Sequence, residues 1–253
     1  MSYGILHLSD LHIGADDNAN EYANIVGSIV ANHDPEVDAV LITGDLVDNA
    51  AMREFEAWAQ ITDVLIAAGF KVMAVPGNHD VFTTRGVDVG FKGTREGWRA
   101  HVLPRIGGET LAHGVREWRW GGRQILGTDT QLASSQDDDI GAARGRLGNS
   151  QLGEIIICLE TGGIVAGHHR LLWRDVLHAL DDANQFLRIL EPRAGLYLCG
   201  HQHADVASQR GDLRIVAAPR STQRHQGRLR YRVFDVEDYE HRWHIVDESS
   251  EKP

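Results

Sequence analysis

The sequence predicts an α/β protein built on a buried, largely parallel sheet, joined by a second sheet later in the chain. Three observations carry this prediction. Strand and helix patterns alternate from the N-terminus to residue 75, each early apolar strand stops at a polar cluster, and strand-like runs return after residue 195.

Residues 3–8 (YGILHL) read as a short buried strand ending at Ser9-Asp10. Residues 20–31 place Tyr22, Ile25, Val26, Ile29 and Val30 at helical spacing. A second apolar strand at 37–42 (VDAVLI) is stopped by Thr43-Gly44-Asp45. A helix over 51–68 follows, with Phe55, Trp58, Ile61, Val64, Leu65 and Ala68 on one side and Gly69 as its C-cap. The third strand, 70–75 (FKVMAV), is closed by Pro76-Gly77. In open α/β sheets, ligand sites gather beyond the carboxyl ends of the strands, which puts the SDLH, TGD and PGNHD clusters side by side.

The middle of the chain is less regular. Residues 84–108 read as loop plus a short helix, and 111–129 as a hairpin turning at Gly121-Gly122, a candidate homodimer surface. The polar stretch 134–146 reads as a lid or rim loop. A helix is expected at 149–159, then a strand at 163–167 running into His168-His169. Another helix over 177–190 precedes a strand at 195–199 that runs into Gly200-His201-Gln202-His203. Apolar runs at 213–218, 229–236 and 243–246 complete the pattern. With no repeat or linker, a single domain over 1–253 is expected, its motif-bearing core at 3–218 and terminal strands at 229–246.

Lys plus Arg number 25 against 36 Asp plus Glu, a formal charge of -11. That balance weighs against coating a nucleic acid backbone or an anionic membrane, both of which need a positive footprint. It leaves room for a phosphate substrate if bound cations supply the local charge. The two cysteines, Cys158 and Cys199, suit small buried thiols in a reducing compartment. No signal-like segment precedes Asp10 and no apolar run approaches membrane-spanning length, so the expected location is cytoplasmic.

The strand-end clusters hold the chemistry. Asp10-Leu11-His12 and His201-Gln202-His203 are i, i+2 pairs whose side chains share one side of an extended segment. Asp45 can bridge two ions with its carboxylate, Asn78 offers a neutral carbonyl oxygen, and His168 an imidazole after Ala166-Gly167. This mixed nitrogen and oxygen set suits Mn, Fe, Zn or Co better than Ca or Mg. Two such ions about 3.5–4 Å apart can clamp the attacking and leaving oxygens of an in-line phosphoryl displacement.

In their order, Asp10-Leu11-His12, Gly44-Asp45, Gly77-Asn78-His79-Asp80, Gly167-His168 and Gly200-His201-Gln202-His203 resemble the motifs of the calcineurin-like metallophosphoesterases. The resemblance implies a four-layer αββα sandwich, two packed sheets flanked by helices, with a dinuclear site at the sheet edge. It implies Asp10, His12, Asp45 and His203 on one divalent or trivalent ion and Asp45, Asn78, His168 and His201 on the other, with Asp45 bridging. It also implies in-line attack by a metal-bridging hydroxide, with His79 over the substrate phosphate. Where the family often has proline after its HH pair, this chain has Arg170, so His169 competes with His168 as ligand. His169 and Arg170 are candidate substrate contacts beside Asn78 and His79.

The segment Gly145-Arg146-Leu147 with Gln151-Leu152 is similar to one in the small bacterial cyclic-nucleotide-type phosphodiesterases. That similarity implies hydrolysis of a cyclic nucleotide or related small diester. The alternatives are an SbcD-type DNA nuclease, which would bring a nucleic acid partner, a phosphomonoesterase or protein phosphatase, and a metal-binding scaffold without catalysis. Among the remaining residues, Asp80 reads as a turn carboxylate, Asn49 as a possible pocket wall, Trp173 as a ring contact, and Arg220, Arg224, Arg228 and Arg230 as a solvated basic face.

Overall fold

The structure is a computed structural model that describes residues 3–34, 36–81, 95–131, 144–171 and 179–246. The first half follows the expected alternation: β1 (Gly4–Leu8), α1 (Asn18–Ala31), β2 (Ala39–Thr43), α2 (Met52–Ala67) and β3 (Lys71–Val75). β1, β2 and β3 are parallel neighbours, so their polar ends emerge at one edge. Two late strands, β11 (Arg230–Asp235) and β12 (His241–Ile245), join β1 antiparallel and complete a five-stranded sheet in the order β12-β11-β1-β2-β3.

The second sheet has seven strands, β4 (Glu109–Thr110), β5 (Arg116–Trp120), β6 (Arg123–Gly127), β7 (Gly163–Ala166), β8 (Ala194–Cys199), β9 (Val206–Arg210) and β10 (Leu213–Ala217). Their order is β4-β5-β6-β7-β8-β10-β9, with β6, β7, β8 and β10 parallel. The expected hairpin is β5–β6, turning at Gly121-Gly122. α3 (Asn149–Cys158) and α4 (Ala183–Leu190) cover this sheet's outer face.

Strand alternation builds two cores from one sheet. Ile125, Ile164, Leu196, Leu198 and Val216 face the first sheet, in a core that includes α1 and α2. Their neighbours Leu126, Val165, Tyr197, Cys199 and Ile215 face Leu152 and Ile155 of α3 and Phe186 and Leu190 of α4. The result is an αββα sandwich. Among the described residues, no helix is long and apolar enough to cross a membrane.

Two expectations need correction. The helix expected over 177–190 begins only at Ala183. Leu180 is drawn into a bridge with Gly145, and the Asp182 carboxylate accepts bonds from the Leu147 and Gly148 amides, so residues 179–182 hold the 145–148 segment instead. β9 was not expected, because VASQR has little apolar content; it is an exposed edge strand held by pairing to β10. Most of the 134–146 loop, Trp173 and the 84–94 part of the irregular stretch lie outside the described residues. The short helix expected over 84–108 contains a π-helical turn at Trp98–Val102.

Inside the first sheet, His7 is buried with Nε2 2.9 Å from Thr43 Oγ1. Burial, reinforced by the Arg232 guanidinium, pulls its pKa from 6.5 down to about 3. The unfolded chain therefore takes up a proton at His7 below pH 6.5 that the folded chain refuses. The resulting stability is complete above pH 6.5 and declines as pH falls toward 3. Between pH 6.5 and 5 the wild type should lose about 2 kcal/mol more than His7→Gln. Urea midpoints at the two pH values check this, and equal losses would show that His7 is not the acid-sensitive group.

Candidate metal centre

The strand ends bring all seven expected ligand residues together with His79. Two groups of side chains converge, Asp10, His12 and His203 in one and Asp45, His168 and His201 in the other. His12 Nε2 lies 3.0 Å from His203 Nε2, and His203 Nε2 lies 3.5 Å from Asp10 Oδ1. In the second group, His168 Nε2 is 3.1 Å from His201 Nδ1, 3.1 Å from Asn78 Oδ1 and 3.3 Å from Asp45 Oδ2. Asp45 Oδ2 is also 3.6 Å from His12 Nε2, so one oxygen stands between the groups.

These separations fit a metal site. Atoms bound at about 2.1 Å around one transition ion sit roughly 3.0–3.5 Å from each other in tetrahedral or octahedral arrangements. In each group three side-chain nitrogens and oxygens, drawn from at least two distant parts of the chain, lie within 4.8 Å of one another, and the separations above fall in or near that spacing. His168 Nδ1–H donates to the Thr43 carbonyl at 2.8 Å, which turns the Nε2 lone pair toward the group.

The electrostatics favour positive charge. Burial alone would raise Asp45 and lower His168, but their attraction wins: Asp45 is held well below the usual carboxylate range and His168 is raised to about 9. Asp10 is lowered in the same way, against its burial, by His203 and His168.

Local backbone geometry sets this convergence. Asp10, His12, Asp45, His201 and His203 have φ of 53, 47, 52, 73 and 51°. Residues with side chains rarely adopt this left-handed region, and five of the seven expected ligands do so here. Each sharp turn redirects the chain at a strand end. Two motif glycines make the approach possible. A Cβ at Gly77 would collide with the Asp45 carboxylate, and one at Gly200 with Ser9 and Asp10.

Four supporting groups surround the ligands, and of these only Asp80 is legible in the sequence. Asp48 lies 3.5 Å from His12 Nδ1, its carbonyl accepts His79 Nδ1–H at 2.7 Å, and it forms a third convergent group with His12 and His79. Its spacing three residues after Asp45 is the signal that could have found it. Asp80 accepts the Gly77 and Val47 amides, as a turn carboxylate does, and burial beside Asp45 raises it to about 7. Ser221 and Thr222 tie a distant loop to the first motif: the Ser9 amide donates to Ser221 Oγ at 2.9 Å and Thr222 Oγ1 to the Leu11 carbonyl at 3.0 Å.

His79 differs from the buried residues around it. Its side chain is 24% exposed, its amide donates to Asp45 Oδ1 at 2.9 Å, and its ring meets His12 edge-on at 4.6 Å. Burial pulls its pKa down, but Asp45, the Asp48 carbonyl and the Asp48 carboxylate together raise it. His169 is fully enclosed, with ring nitrogens 2.8 Å from Thr130 Oγ1 and 3.4 Å from Gln131 Nε2. Arg170 is also buried. Asn49 is fixed by its amide to Glu54 and its side chain to Asp48. In the Gly145–Leu152 stretch, Leu147 and Leu152 are core, and the Gln151 amide clasps the Asp129 backbone through bonds of 2.8 and 2.9 Å.

No curated protein is significantly similar in sequence. Solved structures share the fold at low identity. An archaeal phosphodiesterase superposes with a TM-score of 0.50 at 13% identity, covering 96% of this chain and 99% of its own. Phosphopantetheinyl hydrolase from Mycobacterium tuberculosis gives 0.53 at 16%, covering 87% and 91%. Purple acid phosphatase from yellow lupin seeds gives 0.59 at 11%, covering 98% of this chain and 52% of its own. The model of the calcineurin-like phosphoesterase family matches residues 3–205. Given that match and the two convergent His/Asp groups, the chain belongs to the calcineurin-like phosphoesterase family and is a metal-dependent phosphoric ester hydrolase.

Proposed function

We propose that the protein is a dinuclear phosphodiesterase acting on a small diester such as a cyclic nucleotide, in the manner of the small bacterial cyclic-nucleotide-type enzymes. The observation that carries the reading is the position of Asp45 Oδ2, within 3.6 Å of His12 Nε2 and 3.3 Å of His168 Nε2. One carboxylate there would serve two ions. Asp10, His12 and His203 complete one ligand set, and Asn78, His168 and His201 the other. Mn, Fe and Zn all suit these donors.

Two bound ions would polarise the phosphoryl oxygens and supply a nucleophile from water at neutral pH. The chain's own contribution is positioning and proton transfer. His79 spends Nδ1–H on the Asp48 carbonyl, which leaves Nε2 directed outward as a proton donor to the leaving oxygen. The hydrogen bond from its amide to Asp45 ties that donor to the ligand framework. His169, behind His201 at 4.2 Å between ring centroids, serves as a positioning residue, and Arg170 adds charge behind the same loop.

A diester is favoured because, among the described residues, the groups bonded together at the centre are Asp, Asn and His, whereas a dianionic monoester calls for guanidinium or ammonium groups at the scissile phosphate itself. The two unpaired cysteines suit a cytoplasmic setting. The test is turnover by metal-stripped protein refilled with Mn²⁺. The panel is bis(p-nitrophenyl) phosphate, p-nitrophenyl phosphate, 3′,5′- and 2′,3′-cyclic nucleotides and single-stranded DNA. Cleavage of the diesters and cyclic nucleotides is expected. Cleavage of DNA alone would replace this reading with a nuclease, and preference for the monoester with a phosphatase.

A further inference from the structure

Beside the metal centre, on the far side of His203, lies a cavity of about 290 Å³ lined by Arg220, Arg224, Arg230, Asp205 and His225 as well as by His203. One imidazole is therefore shared by the candidate metal site and a pocket with three guanidinium groups. The surrounding charges do not cancel. Arg224 is matched by Glu21, with bonds of 2.7 and 3.0 Å. Asp205 is shared between Arg230, at 3.5 Å, and the buried Arg232. Arg220 has no carboxylate partner among the described residues; its one hydrogen bond runs from Nε to Thr222 Oγ1 at 3.4 Å. Four guanidiniums thus meet two carboxylates, a local surplus of positive charge in a chain whose net charge is -11.

The pocket is also held in place. Arg220 precedes Ser221 and Thr222, whose bonds to Ser9 and Leu11 fasten this loop to the first metal motif. The Ser221 amide adds a third tie, to the Ser9 carbonyl at 3.0 Å. On the other side, Arg230 stacks on Trp243 at 4.0 Å, which fixes its guanidinium plane. A half-buried arginine with unused donors, on a loop locked to a ligand strand, is built to receive an anion.

From this geometry we infer that the substrate carries a second phosphate, which binds between Arg220 and Arg230 while the scissile diester lies at the metal centre. Within the class proposed above, the preferred substrates are then diesters that bear a further phosphate, such as a nucleotide ester with a terminal phosphate, while unphosphorylated cyclic nucleotides and diesters with neutral substituents are cleaved less efficiently. The inference rests on the phosphodiesterase reading above, and it assigns specificity to residues outside the family motifs.

The test compares two chromogenic esters, thymidine 5′-(p-nitrophenyl phosphate) with and without a 3′-phosphate, on the Mn²⁺-loaded protein. The 3′-phosphorylated ester should be preferred in kcat/KM by about tenfold or more, as a charge-assisted contact to one phosphate warrants. Arg220→Gln should bring that ratio close to one, and Arg220→Lys should keep part of it. A wild-type ratio near one, or a ratio unchanged in Arg220→Gln, would overturn the inference. Calorimetry with thymidine 3′,5′-bisphosphate and thymidine 5′-monophosphate separates the two readings. If no ester is cleaved, the phosphodiesterase reading falls, yet tighter binding of the bisphosphate that is lost in Arg220→Gln upholds the pocket. Equal binding of the two nucleotides overturns it.

Discussion

Asp45→Asn is expected to lose at least ~1,000-fold in kcat on bis(p-nitrophenyl) phosphate, since metal charge contributes several kcal/mol to the transition state and each 1.4 kcal/mol is tenfold. The physical cause is the position of Oδ2 between His12 and His168. An amide there keeps the shape but removes the negative charge that draws both ions together. Oδ1 also accepts the His79 amide, a bond that a carboxamide oxygen can keep, so the loss is one of charge and not of that anchor. Elemental analysis of the purified variant should show less than the two ions per chain of the wild type, with the far-ultraviolet circular dichroism unchanged. A variant that keeps both ions and turns over within tenfold of the wild type would mean that Asp45 does not bridge.

His79→Asn is expected to leave the metal content intact and to slow cleavage by about 100- to 10,000-fold for a substrate with an alkoxide leaving group, the range of general acid catalysis. With p-nitrophenolate, which leaves without protonation, the loss should be much smaller. That contrast follows from the ring's position: its Nδ1 is committed to Asp48, its side chain is partly exposed, and the nearby carboxylates favour its charged form. Parallel kcat values on a p-nitrophenyl diester and a methyl or nucleoside diester decide the matter. Equal losses on both substrates would assign His79 to binding or to metal retention instead.

Both experiments concern residues that could be picked out from the chain alone. Asp10, His12, Asp45, Asn78, His168, His201 and His203 each follow a short apolar run whose length and flanking turn residues mark it as a buried strand, and the metal-site residue types follow at once. Parallel packing of β1, β2 and β3, and of β7 and β8, then puts these ends at one edge. Two packed sheets with helices outside were legible from the early strand–helix alternation and the late strand-like runs, whereas the four-layer sandwich followed from the resemblance of the motifs to the family.

Other features depend on contacts that no local pattern encodes. β9 is polar and exists only because β10 offers an edge. The start of α4 is set by Asp182 capping a segment 34 and 35 positions away. The basic residues after Arg220 read as a solvated face, yet the hydrogen bond between Ser9 and Ser221, 212 positions apart, folds them against His203 and turns part of that face into a pocket wall. Asp48 becomes part of the centre only once the His12 and His79 rings are brought to it.

The sequence by itself determined most of the strands and helices, the residue types of the metal centre and the family to which they point, because these are properties of short segments. Tertiary structure decided which side chains share an ion-sized space, which backbone turns go left-handed to bring them there, and where uncompensated arginine charge collects. Those depend on distances between segments far apart in the chain, and such distances exist only after the two sheets have packed.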